Sequence, residues 1–336
     1  LFVMMIVIFS LPRIVEAVSI QDSGQVAEVI NLTPNNKPEV LKRNSRGINN
    51  PVFQITPDIR KNQEPDNKDT ELNKQSISLQ STINTGITEI DLGLDFLRGV
   101  QSPNGNFGNL INISSLIDTF VVVDLFDSLQ LNTDTNYQNA LTWLNKQYYE
   151  STLNEALKLL ALAKNGQDVL YSVEPLVIRQ NADDGGFGYG GAHESDIKTT
   201  ASMLMTIDES GYADYGSNPD YSKIKTLLFL INSQNIDGGW GETVLAESDI
   251  HSTTQVLEAL YSHKQETLTT GGTDIVIADI IGNALTYLKQ TQSTDGRWNG
   301  SLIDTIFAYD ILHKYGVSLN YENQAFDYIK SQQGIN

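Results

Sequence analysis

Asp183 and Asp184 stand side by side in the stretch 180–200, QNADDGGFGYGGAHESDIKTT, with His193 and Asp196 a few positions further on. Paired carboxylates suit general acid/base chemistry, in which one group holds a proton while its neighbour stays ionised. A histidine among carboxylates is also a common start to a metal site. Asp249 and His251 form a second such grouping. Asp183, Asp184, His193, Asp196, Asp249 and His251 are therefore the candidates for catalysis, the last four of them for a metal site built without cysteine. Against that reading stands the glycine content, because Asp, Asn and Gly are also the letters of tight turns.

The stretch recurs. Residues 234–254 read QNIDGGWGETVLAESDIHSTT, and shorter versions are QSTDGRWNGSLIDT at 292–305 and QSPNGNFGNLINISSLIDT at 101–119. Nine positions separate Phe187 from Asp196 and Trp240 from Asp249 alike. One reaction needs one site, whereas a segment written four times marks a structural repeat. The repeated letters Gln101, Phe107, Gln180, Gly186, Phe187, Gln234, Gly239, Trp240, Gln292, Gly296 and Trp298 are thus expected to hold the architecture together. None of the turns carries the alternating oxygen ligands and terminal Glu that calcium requires, so turn chemistry is favoured there too.

Amphipathic runs must position these turns. LDFLRGVQ, ALTWLNKQ, LLFLINSQ, ALTYLKQTQ and AFDYIKSQ all place apolar residues at i, i+3 and i+4, and most lead into a Gly-rich segment. After the turn, Asp118, Asp196, Asp249 and Asp304 are read as N-caps of a second helix, since a short oxygen-bearing side chain can accept from the unpaired amides of a first turn. Each unit is predicted to be helix, turn, helix, without sheet. The marker glutamines fall at 101, 147, 180, 234, 292 and 332, and the unit 139–166 keeps its helices but loses the Gly-aromatic turn. This spacing is too irregular for a solenoid of fixed short period.

Composition bounds the function classes. Residues 1–85 carry nine basic and nine acidic groups, so the whole net charge of −19 belongs to 86–336. An acidic surface repels nucleic acid and anionic lipid headgroups, and neither is an expected partner of the folded part. The chain has no cysteine, which removes disulfides, thiolate nucleophiles and thiolate metal ligands. Residues 1–18 read as a signal peptide or N-terminal anchor: an apolar run to Leu11, then Pro12 and a Val-Glu-Ala cleavage pattern. The expected location is secreted, periplasmic or at the cell surface. Residues 19–85 are polar, rich in Asn, Gln, Lys, Asp and Pro, and read as a largely disordered linker.

QNIDGGWGE at 234–242 and QNADDGGFG at 180–188, with STTQVLEAL following at 252–260, resemble the repeat of the terpenoid cyclases, squalene-hopene cyclases among them, and of the protein prenyltransferase β subunits. The resemblance covers about 86–336. It implies an all-α fold, an α/α toroid, here an incomplete ring of about five to six helical hairpins. It also implies that the Gln and the aromatic residue tie neighbouring hairpins together. The relatives' catalytic groups are not matched: the chain lacks the Asp-x-Asp-Asp acid of the cyclases and the cysteine of the prenyltransferase zinc site. The reading is accordingly a non-catalytic ligand-binding or interaction module, without cofactor or metal, that takes an apolar ligand or a protein partner. Its alternative is a divergent cyclase or prenyltransferase-like enzyme acting on an apolar isoprenoid.

Overall fold

The computed structural model describes residues 85, 88–108, 113–190, 193–212, 221–317 and 319–332. The signal segment 1–18, and the linker 19–85 apart from Thr85, lie outside them. Among the described residues there are eleven α-helices: α1 Thr88–Val100, α2 Ile113–Ser128, α3 Thr135–Lys146, α4 Thr152–Lys164, α5 Leu170–Val177, α6 Ile197–Glu209, α7 Lys223–Asn232, α8 Ile250–Leu260, α9 Ile277–Thr291, α10 Leu302–Lys314 and α11 Leu319–Ser331. The protein is mostly helical, as the 3.6-residue apolar spacing requires.

The helices form two rows. In the central row α2, α4, α6, α8 and α10 pack each against the next in chain order. In the flanking row α3 rests on α2 and α4, α5 on α4 and α6, α7 on α6, α9 on α8, and α11 on α10. Sequence dictates which helix goes where. α9 buries Ile277, Ile281, Ala284, Tyr287 and Leu288, a single stripe, and leaves its other face to solvent. α6 is buried nearly all round, with Ala201, Met203, Leu204 and Ile207 joined by Thr199, Thr200, Ser202 and Thr206. Small side chains let central helices approach closely. Their hydroxyls are satisfied locally, as where Thr206 Oγ1 donates to Ser202 O at 2.8 Å and across to Ala156 O of α4 at 3.0 Å.

The expectation of no sheet is corrected. β1, Thr267–Thr270, pairs antiparallel with β2, Thr273–Val276, around Gly271 and Gly272, both at positive φ. A two-residue Gly-Gly loop flanked by Thr, Ile and Val is the combination that favours a hairpin over a helix. The flanking helix before Gln180 was also absent from the sequence reading. It is α5, only eight residues long and containing Pro175, too short to show a period.

Two of the four predicted caps are displaced. Asp196 and Asp249 cap α6 and α8, accepting from the amides of Thr199 and Ser252 at 2.7 Å each. At α10 the cap is Ser301, accepting from the amide of Asp304 at 3.2 Å, so Asp304 lies inside the first turn. α2 begins at Ile113, which places Asp118 in its second turn. Aligning on the threonine that follows explains α10, while at α2 the matching serine lies inside the first turn. Thr119, Thr200, Thr253 and Thr305 are equivalent, and four residues before them stand Ser115, Asp196, Asp249 and Ser301.

Candidate functional site

In each repeated turn the glutamine grips two backbones. Gln234 Nε2 donates to Gly238 O at 2.8 Å within its own turn and to Ile280 O at 2.9 Å in the first turn of α9. Gln101 does the same to Gly105 O and Asn136 O, Gln180 to Gly185 O and Ser222 O, and Gln292 to Gly296 O and Tyr321 O. Thus every marker glutamine of a complete turn fastens that turn to the start of the next flanking helix. Gln147, whose unit lacks the turn, bonds only back to Trp143 O at 3.1 Å.

Glycine follows from the same contact. Gly105, Gly185, Gly238 and Gly296 all have positive φ, and a Cβ on Gly238 would lie 2.5 Å from Asn283 O on α9. No L side chain fits either constraint. Gly296 is therefore equivalent to Gly238 and not to Gly239. Gly186 and Gly239 are excluded from substitution by different neighbours, Ser195 and Ser248, whose Cβ atoms would be 2.6 Å away.

The aromatic residue is the plug. Phe107, Phe187, Trp240 and Trp298 are buried, each with its amide donating to the repeat threonine: Phe187 to Thr200 Oγ1 at 2.9 Å, Trp240 to Thr253 Oγ1 at 2.9 Å. Both indoles also donate to a carbonyl ten residues back, Trp240 to Leu230 O at 2.7 Å and Trp298 to Leu288 O at 2.8 Å.

The chemistry-bearing side chains are placed as follows. Asp184 Oδ1 accepts from Gly186 N and Ser195 Oγ, both at 2.8 Å, and Asp237 repeats this arrangement with Gly239 N and Ser248 Oγ. Asp183 is the residue inserted between the two copies, exposed at the turn tip. Asp196 and Asp249 spend both carboxylate oxygens on their caps, the second accepting from Thr199 Oγ1 and Ser252 Oγ. Burial holds the Asp196 carboxyl above the usual range, with Glu242 adding to it, although the cap bonds oppose this. His193 is exposed, its ring 6.1 Å from that of Tyr189. His251 is partly buried edge-on to Phe307 at 5.0 Å, and burial together with Lys198 lowers its pKa. The six candidates are not brought together: among the described residues no cluster of three or more His, Asp or Glu has metal-ligand geometry.

Sequence reasoning did not single out the charges along the central row. Lys164 of α4 bonds Asp124 of α2 at 2.6 Å, and Lys314 of α10 bonds Glu258 of α8 at 2.6 Å. Burial works against the Lys164 ammonium, yet Asp124 raises its pKa, helped by Glu258 and Glu209. Tyr261 carries Lys264 and Lys314 over its ring, at 3.6 and 4.4 Å, and meets Tyr315 edge-on at 5.1 Å. The same central helices carry partly buried apolar side chains, Phe120, Val121, Met205 and Phe307. The crevice lined by Val123, Asp124, Asp127, Tyr137, Ala161 and Lys164 has no interior room for a water molecule, far short of the ~300 Å³ at which small-molecule sites begin. No protein-family model matches the chain, and no curated protein is significantly similar to it in sequence.

Proposed function

We propose that residues 86–336 are a curved array of helical hairpins, an incomplete α/α toroid of the cyclase and prenyltransferase type. In this reading it is a non-catalytic module that binds a polypeptide partner along its central row. The array is supported by the alternation of central and flanking helices, in which α2, α4, α6, α8 and α10 each pack against the next. The apolar leader at 1–18 supports an extracellular or periplasmic setting.

The observation that carries the functional reading is the charged wall. Asp124, Lys164, Glu209, Glu258 and Lys314 line the C-terminal ends of the central helices, with the amphipathic Tyr261 among them. An isoprenoid cation needs a dry cavity faced with aromatic rings. A wall of opposed charges set among apolar side chains suits a peptide that offers both kinds of group. The repeated carboxylates, Asp184, Asp196, Asp237 and Asp249, are occupied in holding turns and helix starts, which fits the absence of an assigned acid or base.

The test is site-specific photo-crosslinking in the source cells. The full chain carries a photoreactive residue either at Phe307, on the central row, or at Tyr171, exposed on α5. The proposal expects protein adducts from position 307 that disappear when Lys314→Glu is added, and none from 171. Equal labelling from both positions, or adducts indifferent to Lys314, would refute it.

A further inference from the structure

His263 ends the 3-10 turn Tyr261–His263 that follows α8, and it is 1% exposed. Both ring nitrogens meet carboxylates: Nε2 lies 2.6 Å from Asp208 Oδ2 of α6, and Nδ1 2.8 Å from Glu266 Oε1. A neutral imidazole has one N–H and one lone pair. It can donate to one of these carboxylates but must turn its lone pair on the other, so satisfying both takes the imidazolium. Asp208 is itself shared, accepting Lys223 Nζ of α7 at 2.8 Å and Ser262 Oγ at 3.2 Å.

The far side of the contact is lightly built. Glu266 leads directly into the β1–β2 hairpin, its amide bonding His263 O at 2.8 Å and its carbonyl taking the amide of Ile277, the first residue of α9, at 3.1 Å. Within the hairpin Leu268 is buried and β2 has no buried residue. A two-stranded hairpin of this size does not hold itself together in water. Its attachment to the helices therefore rests on Leu268, on Ile275 packed part-buried against the core, on the two Glu266 backbone bonds and on the Glu266–His263 contact.

We propose that His263 is a proton-operated clasp: charged, it fastens the Thr267–Val276 hairpin to the end of α6, and uncharged, it lets the hairpin detach. Burial disfavours the charged ring, but the bonds to Asp208 and Glu266 prevail and raise its pKa above the ordinary value, with Lys223 opposing. A raised histidine pKa stabilises fully below the unfolded value of about 6.5 and loses that contribution as pH climbs through the folded value. The clasp is thus shut below about pH 6.5 and opens as pH climbs through the raised folded value. The described groups that face it are Asp208, with Tyr221 and Lys223 behind it, Glu266, and Tyr261 and Lys264 on its own turn.

The experiment is hydrogen exchange of the full chain, read by mass spectrometry at about pH 6 and about pH 8.5 and corrected for intrinsic rates, with the ring titrated in parallel by NMR. Peptides spanning 264–276 should lose protection severalfold at the higher pH, as one of the two ring–carboxylate bonds is given up. The loss should follow the His263 ring and be absent from α2 and α3. In Glu266→Gln, which keeps the Asp208 bond and the buried ring, the hairpin should exchange alike at both pH values. In Tyr261→Phe the dependence should persist. Hairpin protection that is unchanged while the ring titrates, a ring pKa at or below 6.5, or a dependence that vanishes in Tyr261→Phe would each overturn the proposal.

Discussion

Replacing Trp240 by Ala removes the plug of the best-formed turn. The indole is 0% exposed, and its Nε1 donates to Leu230 O at 2.7 Å inside the core. Truncating a buried large aromatic costs about 3–5 kcal/mol. Trp240→Phe divides the loss usefully. Phe107 and Phe187 fill the equivalent sockets, so a phenyl ring is accommodated there, and the expected cost is the orphaned Leu230 carbonyl plus a small void, about 1–3 kcal/mol. Asp183→Asn, at the exposed tip of the neighbouring turn, should stay within about 0.5 kcal/mol. Urea titration of the full chain by far-UV circular dichroism, with unchanged slope between variants, measures all three. The ranking should be Ala, then Phe, then Asn. An Asp183→Asn cost that matches Trp240→Ala would refute the argument that the repeated turn is architecture and its acidic tip dispensable.

Gly238→Ala should cost well over 1 kcal/mol in thermal melts, because a Cβ there combines φ +92° with a 2.5 Å approach to Asn283 O, whereas Gly300→Ala, at φ +65° in open space, should cost about 1 kcal/mol. Arg98→Ala breaks a pair whose side chains are 10% and 6% exposed, the Arg98–Asp134 contact at 2.8 Å, and should lose about 3–5 kcal/mol in the same titration. Lys164→Ala, at a pair about a third exposed, should lose less than about 1 kcal/mol, an effect that salt screens. In acid, the lowered pKa of Asp208, produced by its bonds to His263 and Lys223 against the opposing pull of burial, makes its contribution present above about pH 4 and lost as pH falls through the lower folded value. Asp208→Asn should accordingly flatten the acid limb of a melting-temperature profile.

Much of this architecture is written in local chemistry. The helical periods of ALTYLKQTQ and STTQVLEAL, the capping by Asp196 and Asp249, and the pairing of Gln with Gly and an aromatic residue all act within about a dozen residues, so they can be read without knowing what lies across the fold. Cap register at α10 is ambiguous in the sequence because Asp304 is as good at capping as Ser301, and only the threonine alignment distinguishes them. The hairpin is hard to read because TLTTGGTDIV lies between two clear helices and its core face is the single pair Leu268 and Ile275, too short to show a period. The Asp124–Lys164, Asp208–His263 and Glu258–Lys314 contacts join residues 40–56 apart. No spacing rule predicts those. His193 and His251 stand at non-equivalent repeat positions in the sequence, and the first is an exposed loop residue while the second lies against Phe307.

If the carboxylates of the repeated turns are architectural and the charged central row binds without catalysing, as proposed, the purified full chain should leave prenyl substrates alone. Incubation with squalene and, separately, with geranylgeranyl diphosphate and a cysteine-bearing peptide acceptor, followed by mass spectrometry of the products, should return each substrate unchanged. A cyclised hydrocarbon or a prenylated peptide that disappears in Asp184→Asn or His251→Gln would contradict that reading.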